Sequence, residues 1–550
     1  MVENIDPTTI EDEHLRQVVI TLMNLVETLS GKVKEQAEEI QRLRDENHRL
    51  KGEQGKPKIK ANKAAGNLSS EKERREGRGQ GHSKDSKHLH LHIDRVEEVK
   101  LNQQDLPPDA TFKGYEEVIV QELVFRPETI LFRKEKYYSS GQQRTYQAQL
   151  PAGYHGQFGP QLRAWVLTLY YQGVMSEPKI LEVLQTVGIS MSAGQLSDLL
   201  IKQQEVFHAE SAAIVRAGLL SSPWQHLDST GTRVNGINQH CHILCNPLYS
   251  FYCTTKCKDR LSMLRVLLGG AELSFQFNAQ ARALMERLGV SPIWSALLTY
   301  HLVEGQAFSE EQLETWLSAT LPKMGPTVRK LVKDALAIAA YHSQTQYPVV
   351  SLLLCDDASQ FNALTSELAL CWIHEFRHYK KLVPRFSHHV TLLQEFGEQF
   401  WQLYHDLLDY RNHPHPAQAV VLQARFDQLL SQQSGYQQLD ECKARTLHKR
   451  EQLLLVLSHP EILLHNNPAE LGARQRVRKR DVSLQARTSE GIAAWDTFQT
   501  LVATAKKLGV NLFSYFFDCI KQTYTLPSLA ALIEQRAASL ALGASWQQAP

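Results

Sequence analysis

Residues 346–357 read QYPVVSLLLCDD, a short apolar run that ends in two acids, Asp356 and Asp357. A run of this length between polar flanks is typical of a buried strand. Upstream, the segment LDSTGTRV has a similar form, because Asp228 ends an apolar-flanked strand and small hydroxylated residues follow it. Glu470 opens a predicted helix directly after HNNPA. The sequence therefore places acids at the ends of two strands and on one later helix.

Acids in such places are what a two-metal phosphoryl-transfer site needs. Two divalent cations about 4 Å apart require several carboxylates that converge on one point. Mg²⁺ prefers hard oxygen ligands and keeps some of its waters. Strand-end acids are weak evidence by themselves, because convergence of the side chains has to be shown by the fold.

The composition is that of an ordinary globular protein. The chain has 550 residues, with 60 Lys and Arg against 59 Asp and Glu, and 43% hydrophobic residues. These values exclude a collagen-like, mucin-like or wholly disordered chain. Because the net charge is only +1, any nucleic-acid-binding surface has to be local. We expect a soluble cytoplasmic protein, since the sequence has neither a signal-peptide pattern nor a long apolar stretch.

The clearest periodicity lies in residues 10–52 and predicts a parallel two-stranded coiled coil. β-Branched residues at heptad position a with leucine at d favour two parallel strands, and a buried Asn at a sets the register. The a positions are Val19, Val26, Val33, Ile40 and Asn47, and the d positions are Leu15, Leu22, Leu29, Gln36, Leu43 and Leu50. The prediction implies a homodimer. The alternative is a single amphipathic helix docked on the body.

Two segments near the N-terminus each allow two interpretations. Residues 53–87 are polar and basic, with ten Lys and Arg against four Asp and Glu from residue 56 onward. They form either a linker that contacts DNA phosphates or a solvated tether. His88, His90 and His92 alternate in a predicted strand, so they share one face. Such a row binds a metal or, more commonly, forms an exposed polar face.

Two later segments are equally open. Within residues 158–204, a helix, a tight turn and a second helix form either a DNA-binding helix-turn-helix or a plain helical hairpin. Four cysteines lie in predicted strands further on, and they either hold zinc or are simply buried. If that hairpin centres on Tyr249, Cys245 faces Cys253 and Cys241 faces Cys257.

Several longer segments, in matching order, resemble the DDE transposases of bacterial insertion sequences, specifically the insertion-sequence-sixty-six family. They are LDSTGTRV, CDDASQFNAL, LCWIHEFRHYKKLVP, HNNPAELGARQR and GIAAWDTFQTLVATAKKLGVNLFSYFFDCI. They resemble the family's two Asp strands, its Cys-Trp-x-His-x-x-Arg signature, its Asn-Asn-x-x-Glu motif and its C-terminal segment. The resemblance covers about residues 90–520. It departs at Leu471, where the family has Arg, and in residues 88–150, which lack the cysteines of the family's zinc module.

The resemblance implies the roles of named residues. Asp228, Asp356 and Glu470 would be the catalytic residues and would bind two Mg²⁺ or Mn²⁺ ions. Asp357 falls where the family usually has Gly, and it is the alternative second ligand. Cys371, His374 and Arg377 belong to a motif near the site, where they position the substrate strand or serve packing. With only Cys and His evident there, we expect no zinc. A further set would bind DNA phosphates, the alternative being a solvated basic face: Lys380, Lys381, Arg474, Arg476, Arg478, Lys479 and Arg480.

The implied fold is an α/β ribonuclease-H-like core interrupted by helical insertions. In chain order, the predicted organisation is a dimerising coiled coil at 10–52, a basic flexible linker at 53–87, a small β-rich region at 88–150, a helical, helix-turn-helix-like DNA-binding region at 151–205, the first part of the core at 220–385 with an insertion at about 270–340, a helical insertion domain at 386–460, the second part of the core at 461–525, and a terminal helix and tail at 526–550.

The implied activity is metal-dependent cleavage at insertion-sequence ends and strand transfer into target DNA. The partners would be double-stranded DNA, a second copy of the chain and small accessory proteins, in a bacterial cytoplasm at the nucleoid. Two alternatives remain at this stage. One is an inactive DNA-binding or assembly protein with the same fold, and the other is a ribonuclease-H-like nuclease acting on branched DNA.

Overall fold

The computed structural model describes residues 5–50, 93–101, 115–121, 123 and 125–547. The predicted basic linker and the histidine row His88, His90 and His92 lie outside these residues. The described part combines a five-stranded mixed sheet with many helices. No helix within it is both long and apolar enough to cross a lipid bilayer.

Nine strands form three sheets among the described residues. They are β1 (Lys136–Ser139), β2 (Arg144–Gln147), β3 (Trp224–Val234), β4 (Ile237–Cys245), β5 (Ser250–Thr255), β6 (Phe275–Gln276), β7 (Ala307–Phe308), β8 (Leu352–Cys355) and β9 (Glu367–Leu370). The central sheet has the order β5-β4-β3-β8-β9. Strands β3 to β5 are antiparallel, whereas β8 and β9 run parallel to β3. Asn235 and Gly236 close the β3–β4 hairpin, and both have positive φ, as a tight hairpin turn requires.

The α-helices account for most of the remaining described chain. They are Glu13–Leu50, Pro160–Leu167, Glu177–Thr186, Ala193–Ile201, Glu205–Leu220, Arg260–Leu267, Ala279–Arg287, Pro292–His301, Glu310–Thr320, Pro326–Ser343, Trp372–Tyr379, Ser387–Asn412, Pro416–Ser431, Gln437–Leu447, Arg450–Leu453, Asn467–Ser483, Ser489–Lys507, Leu512–Lys521, Leu529–Leu540 and Ala544–Gln547. Short 3₁₀ turns lie at Pro7–Thr9, Ser359–Phe361 and Leu455–Leu457, and a π-helical turn at Thr168–Gln172.

The sheet is buried on both faces, which explains why β8 reads as a continuous apolar run. Side chains alternate along a strand, so Leu353 and Cys355 belong to one hydrophobic core while Leu352 and Leu354 belong to the other. Trp224 of β3 lies in the same core as Leu352 and Leu354. Helices Trp372–Tyr379 and Ser387–Asn412 contribute to that core through their aromatic residues.

The N-terminal helix Glu13–Leu50 is docked on the body along a face different from the predicted coiled-coil seam. Met23 and Glu27 are buried, and the Glu27 carboxylate accepts hydrogen bonds from the backbone N–H groups of Arg385 and Phe386. In contrast, the side chains at most a and d positions are about half exposed, Leu22 at 54% for example. The helix therefore has one face bound within the chain and an apolar seam open to solvent.

Two expectations about strands are corrected. Within the described part of residues 88–150, only the short hairpin β1–β2 pairs, while 93–101 and 115–121 run without strand partners. The cysteine register also differs, because the turn between β4 and β5 lies at 246–249. Cys245 pairs with Ser250 and Cys253 pairs with His242. No two of the four cysteines therefore face each other across these strands, and Cys241 and Cys245 are buried whereas Cys257 is exposed.

Candidate functional site

The parallel pairing of β3 with β8 brings Asp228 and Asp356 to the same level of the sheet. Asp356 directly follows β8, as expected, but Asp228 lies in the middle of β3 rather than at its end, because β3 continues to Val234 in the hairpin with β4. His226 pairs with Leu354, so continuing the register by two residues places Asp228 level with Asp356. The period of two along each strand puts both acids on the face that carries Trp224 and Leu354. Helices Trp372–Tyr379 and Asn467–Ser483 pack on this face. The acids therefore face the helix that bears Glu470.

Asn466 fixes the start of the Glu470 helix against both other segments of the site. Its amide nitrogen donates to the Leu227 carbonyl at 2.8 Å, and its amide oxygen lies 3.0 Å from His226 Nδ1. Burial lowers the pKa of His226 to about 3, so its ring is neutral and Nδ1–H donates to Asn466. The Asn466 backbone N–H points at Cys371 Sγ, 3.3 Å away. One buried residue thus ties β3, the Cys371 segment and the Glu470 helix together.

The helix Asn467–Ser483, which bears Glu470, packs closely on the central sheet at Gly472. Gly472 lies against β4, and a Cβ atom there would stand 2.7 Å from Ile243 Cγ2. The Tyr252 hydroxyl donates to the Gly472 carbonyl at 3.2 Å. Only glycine permits this approach, which holds the first turn of the helix on the sheet.

His374, Arg377 and Cys371 surround the Glu470 carboxylate. His374 Nδ1 lies 3.5 Å from Glu470 Oε1, and an Arg377 guanidinium nitrogen lies 3.6 Å from Glu470 Oε2. The sulfur of Cys371, a ring nitrogen of His374 and a carboxylate oxygen of Glu470 all lie within 4.8 Å of one another. The Cys-x-x-His pair therefore meets a third potential metal ligand, which sequence spacing did not indicate.

The electrostatics of the site are those of crowded carboxylates. Burial raises the pKa of Asp228 to about 6; the Ser229 backbone N–H opposes this rise, and the Glu470 and Asp356 carboxylates add to it. Burial and the Arg377 charge lower the pKa of His374, while Glu470 and Asp356 act in the opposite direction. Asp228, Asp356 and Glu470 are therefore close enough to influence one another.

The carboxylates of Asp228, Asp356 and Glu470 are of the kind that binds a divalent cation, but among the described residues the group whose donor atoms all lie within 4.8 Å of one another is Cys371, His374 and Glu470, without Asp228 or Asp356. Asp356 Oδ1 and Glu470 Oε1 are both buried and lack a hydrogen-bond partner in the described part of the chain. Buried, unpartnered carboxylate oxygens are costly unless a cation or proton compensates them. Oxygen ligands from three carboxylates are what Mg²⁺ or Mn²⁺ prefers.

Asp357, the alternative second ligand, is engaged elsewhere. Its carboxylate forms an ion pair with Lys449 Nζ at 2.6 Å, and Lys449 also pairs with buried Glu375 at 2.9 Å. Asp357 is exposed, and its partner Lys449 lies between the helices Gln437–Leu447 and Arg450–Leu453. The geometry therefore favours Asp356 over Asp357 as the residue that joins Asp228 and Glu470.

Two members of the basic run are buried, which corrects their assignment to DNA. The Arg476 guanidinium pairs with Asp496 and lies 3.1 Å from Cys241 Sγ. Lys479 Nζ donates to the Tyr170 carbonyl at 2.9 Å and lies 3.0 Å from the centre of the Tyr170 ring. Burial lowers the pKa of Lys479 to about 6. Neither side chain has surface left for a DNA phosphate, so both serve internal packing.

The other basic residues remain available to a polyanion. Arg474 and Arg478 are exposed and follow Glu470 at intervals of four, so the three lie on one face of the helix. Arg480 is partly exposed and donates to the Gly231 carbonyl. Lys380 and Lys381, at the end of the helix Trp372–Tyr379, are exposed as well.

Sequence reasoning missed three residues that build the site. Asn466 lies inside the quoted HNNPAE motif, so that motif could have indicated a structural role. His226 precedes Asp228 by two residues, on the same face of β3. Lys449, which binds Asp357, carries no sequence signal, because its partner lies 92 residues away.

Two comparisons with known proteins concern this part of the chain. Residues 333–494 match the model of the family described as "Transposase IS66 family". This region includes Asp356, the Cys371–Arg377 motif and Glu470, while Asp228 precedes it. The chain is also 28% identical over 328 residues to "Uncharacterized protein y4jO" of Sinorhizobium fredii, covering 59% of this chain and 100% of that protein. Residues 333–494 are therefore similar to the transposase domain of the IS66 family.

Proposed function

We propose that the chain is a DDE transposase that cuts DNA at insertion-sequence ends and joins them to target DNA. The proposal is supported by the strand register that sets Asp228 level with Asp356, by the mutual influence of these carboxylates and Glu470, and by the buried, unpartnered oxygens of Asp356 and Glu470. The mixed order of the sheet, with three antiparallel strands followed by two parallel ones, supports a ribonuclease-H-like core.

In this proposal, Asp228, Asp356 and Glu470 hold the metal ions and orient the reacting groups. Two divalent ions bound there would activate the attacking hydroxyl and stabilise the leaving oxygen. In the first step, water attacks the phosphorus, the bond to the 3′ oxygen breaks, and a free 3′ hydroxyl results. In the second step, that hydroxyl attacks a target phosphodiester in line and displaces another 3′ oxygen. Catalysis consists of positioning and charge stabilisation, without a covalent protein intermediate.

The DNA is proposed to follow the Glu470 helix. Arg474 and Arg478 continue the Glu470 face outward, and Arg377 lies beside the carboxylate itself. Exposed guanidinium groups bind phosphates without reading sequence. The hairpin of helices Glu177–Thr186 and Ala193–Ile201, whose second helix begins with a Ser192–Gln195 capping box, is proposed as a further DNA-binding element.

The exposed seam of the N-terminal helix is proposed to pair with a second copy of the chain. The docked face, around Met23 and Glu27, leaves the heptad seam free, and the seam keeps the a and d pattern of a parallel dimer. Leu22→Glu combined with Leu29→Glu should convert a dimer to a monomer in light scattering. Thr21→Glu, an exposed position beside the seam, is the control. A monomeric wild-type protein at micromolar concentration would contradict this proposal.

The activity is tested with the full chain, Mg²⁺ or Mn²⁺, and labelled DNA carrying the sequences that flank the coding region. We expect metal-dependent new 3′ hydroxyls and joined products, both lost in Glu470→Gln. The matched control is Glu286→Gln, an exposed glutamate of the helix Ala279–Arg287, which should retain activity. Tight DNA binding without cleavage would favour an assembly protein, and cleavage of branched DNA without joining would favour a nuclease.

A further inference from the structure

We propose that Cys371, His374 and Glu470 form a binding site for a soft divalent cation such as Zn²⁺, and that a cation held there withdraws Glu470 from the Mg²⁺-binding carboxylates. Only the second half of this statement rests on the proposed function. The first half concerns metal binding alone and is measured without DNA.

The three donor atoms are close to the geometry of a zinc site. They lie within 4.8 Å of one another. Zinc is bound at about 2.3 Å by sulfur, about 2.0–2.1 Å by nitrogen and about 2.0–2.2 Å by oxygen, almost always tetrahedrally. Ligand atoms around one ion therefore lie about 3.3–3.7 Å apart. A shift of roughly half an ångström per side chain completes the site, and water takes the fourth position, as in sites with three protein ligands.

Two of these donors are unpaired where a cation would lie. His374 Nδ1 and Glu470 Oε1 face each other at 3.5 Å, and neither has a hydrogen-bond partner in the described part of the chain. A cation between them would compensate both buried atoms at once. The Glu470 backbone N–H donates to the Asn466 carbonyl, and Asn466 is itself anchored to β3, so the ligand-bearing turn is rigid.

The third donor is a buried thiol that a bound cation would convert to a thiolate. Cys371 Sγ lies at the N-terminus of the helix Trp372–Tyr379 and faces the Asn466 backbone N–H. Burial raises the pKa of Cys371 to about 11 although nearby backbone N–H groups act in the opposite direction, so the charge of the cation has to displace the proton. On zinc binding, the S–H bond breaks, a Zn–S bond forms, and the proton passes to water.

Sulfur and imidazole donors distinguish this site from the carboxylate site next to it. Mg²⁺ takes oxygen ligands and has little affinity for thiolate, so it leaves Cys371 and His374 unused. Zn²⁺ binds thiolate and imidazole as well as carboxylate donors. Glu470 is a ligand of both sites, and its carboxylate cannot be oriented toward both at once. A soft cation bound to Cys371, His374 and Glu470 therefore opposes Mg²⁺ binding at the carboxylate site.

Binding is tested on the full chain with CoCl₂ as a spectroscopic substitute for zinc, and with ZnCl₂ in competition with a coloured chelator. We expect a thiolate-to-cobalt absorption band and one tight zinc equivalent. Cys371→Ser should abolish the band, and His374→Ala should weaken zinc binding by at least about tenfold. Cys355→Ser, at a buried cysteine outside the donor set, is the matched control. A band that survives in Cys371→Ser overturns the site.

Competition is tested in the DNA cleavage assay at fixed Mg²⁺ with increasing ZnCl₂. The proposal is supported if more Mg²⁺ relieves the inhibition by zinc. It also requires that His374→Ala need at least about tenfold more ZnCl₂ than the wild type for the same fractional inhibition, each protein being compared with its own activity without zinc. Equal inhibition of the variant and the wild type overturns it. If no metal supports cleavage at all, the proposed transposase activity fails, while the cobalt band still decides whether the zinc site exists.

Discussion

Replacing Asp228 with asparagine should stabilise the fold at neutral pH in the absence of divalent cations. The carboxylate is largely buried beside two other carboxylates, and these surroundings raise its pKa to about 6 from the ordinary 3.8. Asparagine has the same shape and keeps an oxygen that accepts the Ser229 N–H, 2.7 Å away. The substitution therefore removes a charge and preserves the packing and the hydrogen bond.

The magnitude follows from the difference between the two pKa values. At about 1.36 kcal/mol per pKa unit, a rise from 3.8 to about 6 corresponds to about 3 kcal/mol. Because the folded state binds the proton more tightly than the unfolded state, wild-type stability falls as pH rises from about 4 to about 6 and stays low above that range. Partial solvation of Asp228 reduces the effect, so we expect a gain of about 1–3 kcal/mol for Asp228→Asn at pH 7.5.

The assay is thermal unfolding of the full chain in a chelator at pH 7.5 and at pH 4. The variant should unfold about 1–3 °C higher at pH 7.5 and at nearly the same temperature as the wild type at pH 4. Added Mg²⁺ should stabilise the wild type and leave the variant unchanged. The exposed Asp198, which pairs with Lys202 on the helix surface, provides the control Asp198→Asn. A variant that is less stable at pH 7.5, or equally shifted at both pH values, would refute the reasoning.

Three further outcomes are expected from the contacts around the site. Asn466→Ala leaves His226 Nδ1 and the Leu227 carbonyl without partners, so urea unfolding should show a loss of about 2–4 kcal/mol. Asp496→Asn leaves the buried Arg476 charge without its counter-ion and should cost about 3–5 kcal/mol in the same measurement. Arg478→Ala should not change stability, but it should weaken DNA binding and lower the slope of log affinity against log salt by about 1. A stable Asp496→Asn, or an unchanged salt slope in Arg478→Ala, would contradict the respective assignments.

The acids of the candidate site could be named from sequence because each stands in a distinctive local context. Asp228 and Asp356 each follow a short apolar run, and Glu470 follows a helix-starting Asn-Pro pair, although β3 continues past Asp228 to Val234. The boundary between β8 and the acids was predictable for the same reason, since a strand buried on both faces is apolar throughout. The role of Asp357 was not predictable, because an ion pair with Lys449 depends on a helix far along the chain.

For the basic residues that follow Glu470, the sequence did not predict which side chains are buried and which are exposed. Arg476 and Arg478 are equivalent in the sequence, yet one is fully buried against Asp496 and the other is exposed. The helix turns about 100° per residue, so neighbours in one run point in different directions. The residues on the face of the helix that packs on the sheet are buried, and those on the opposite face are available to DNA.

The amino-acid sequence by itself determined the buried strand that precedes Asp356, the residues that could carry metal chemistry, and the apolar seam of the N-terminal helix, because these depend on local patterns. The tertiary structure decided which acids share a face, that Glu470 joins Cys371 and His374, and that Met23 and Glu27 dock the N-terminal helix on the body. The reason is physical: strand register and helix orientation are set by packing between segments more than 100 residues apart, and no local pattern encodes those distances.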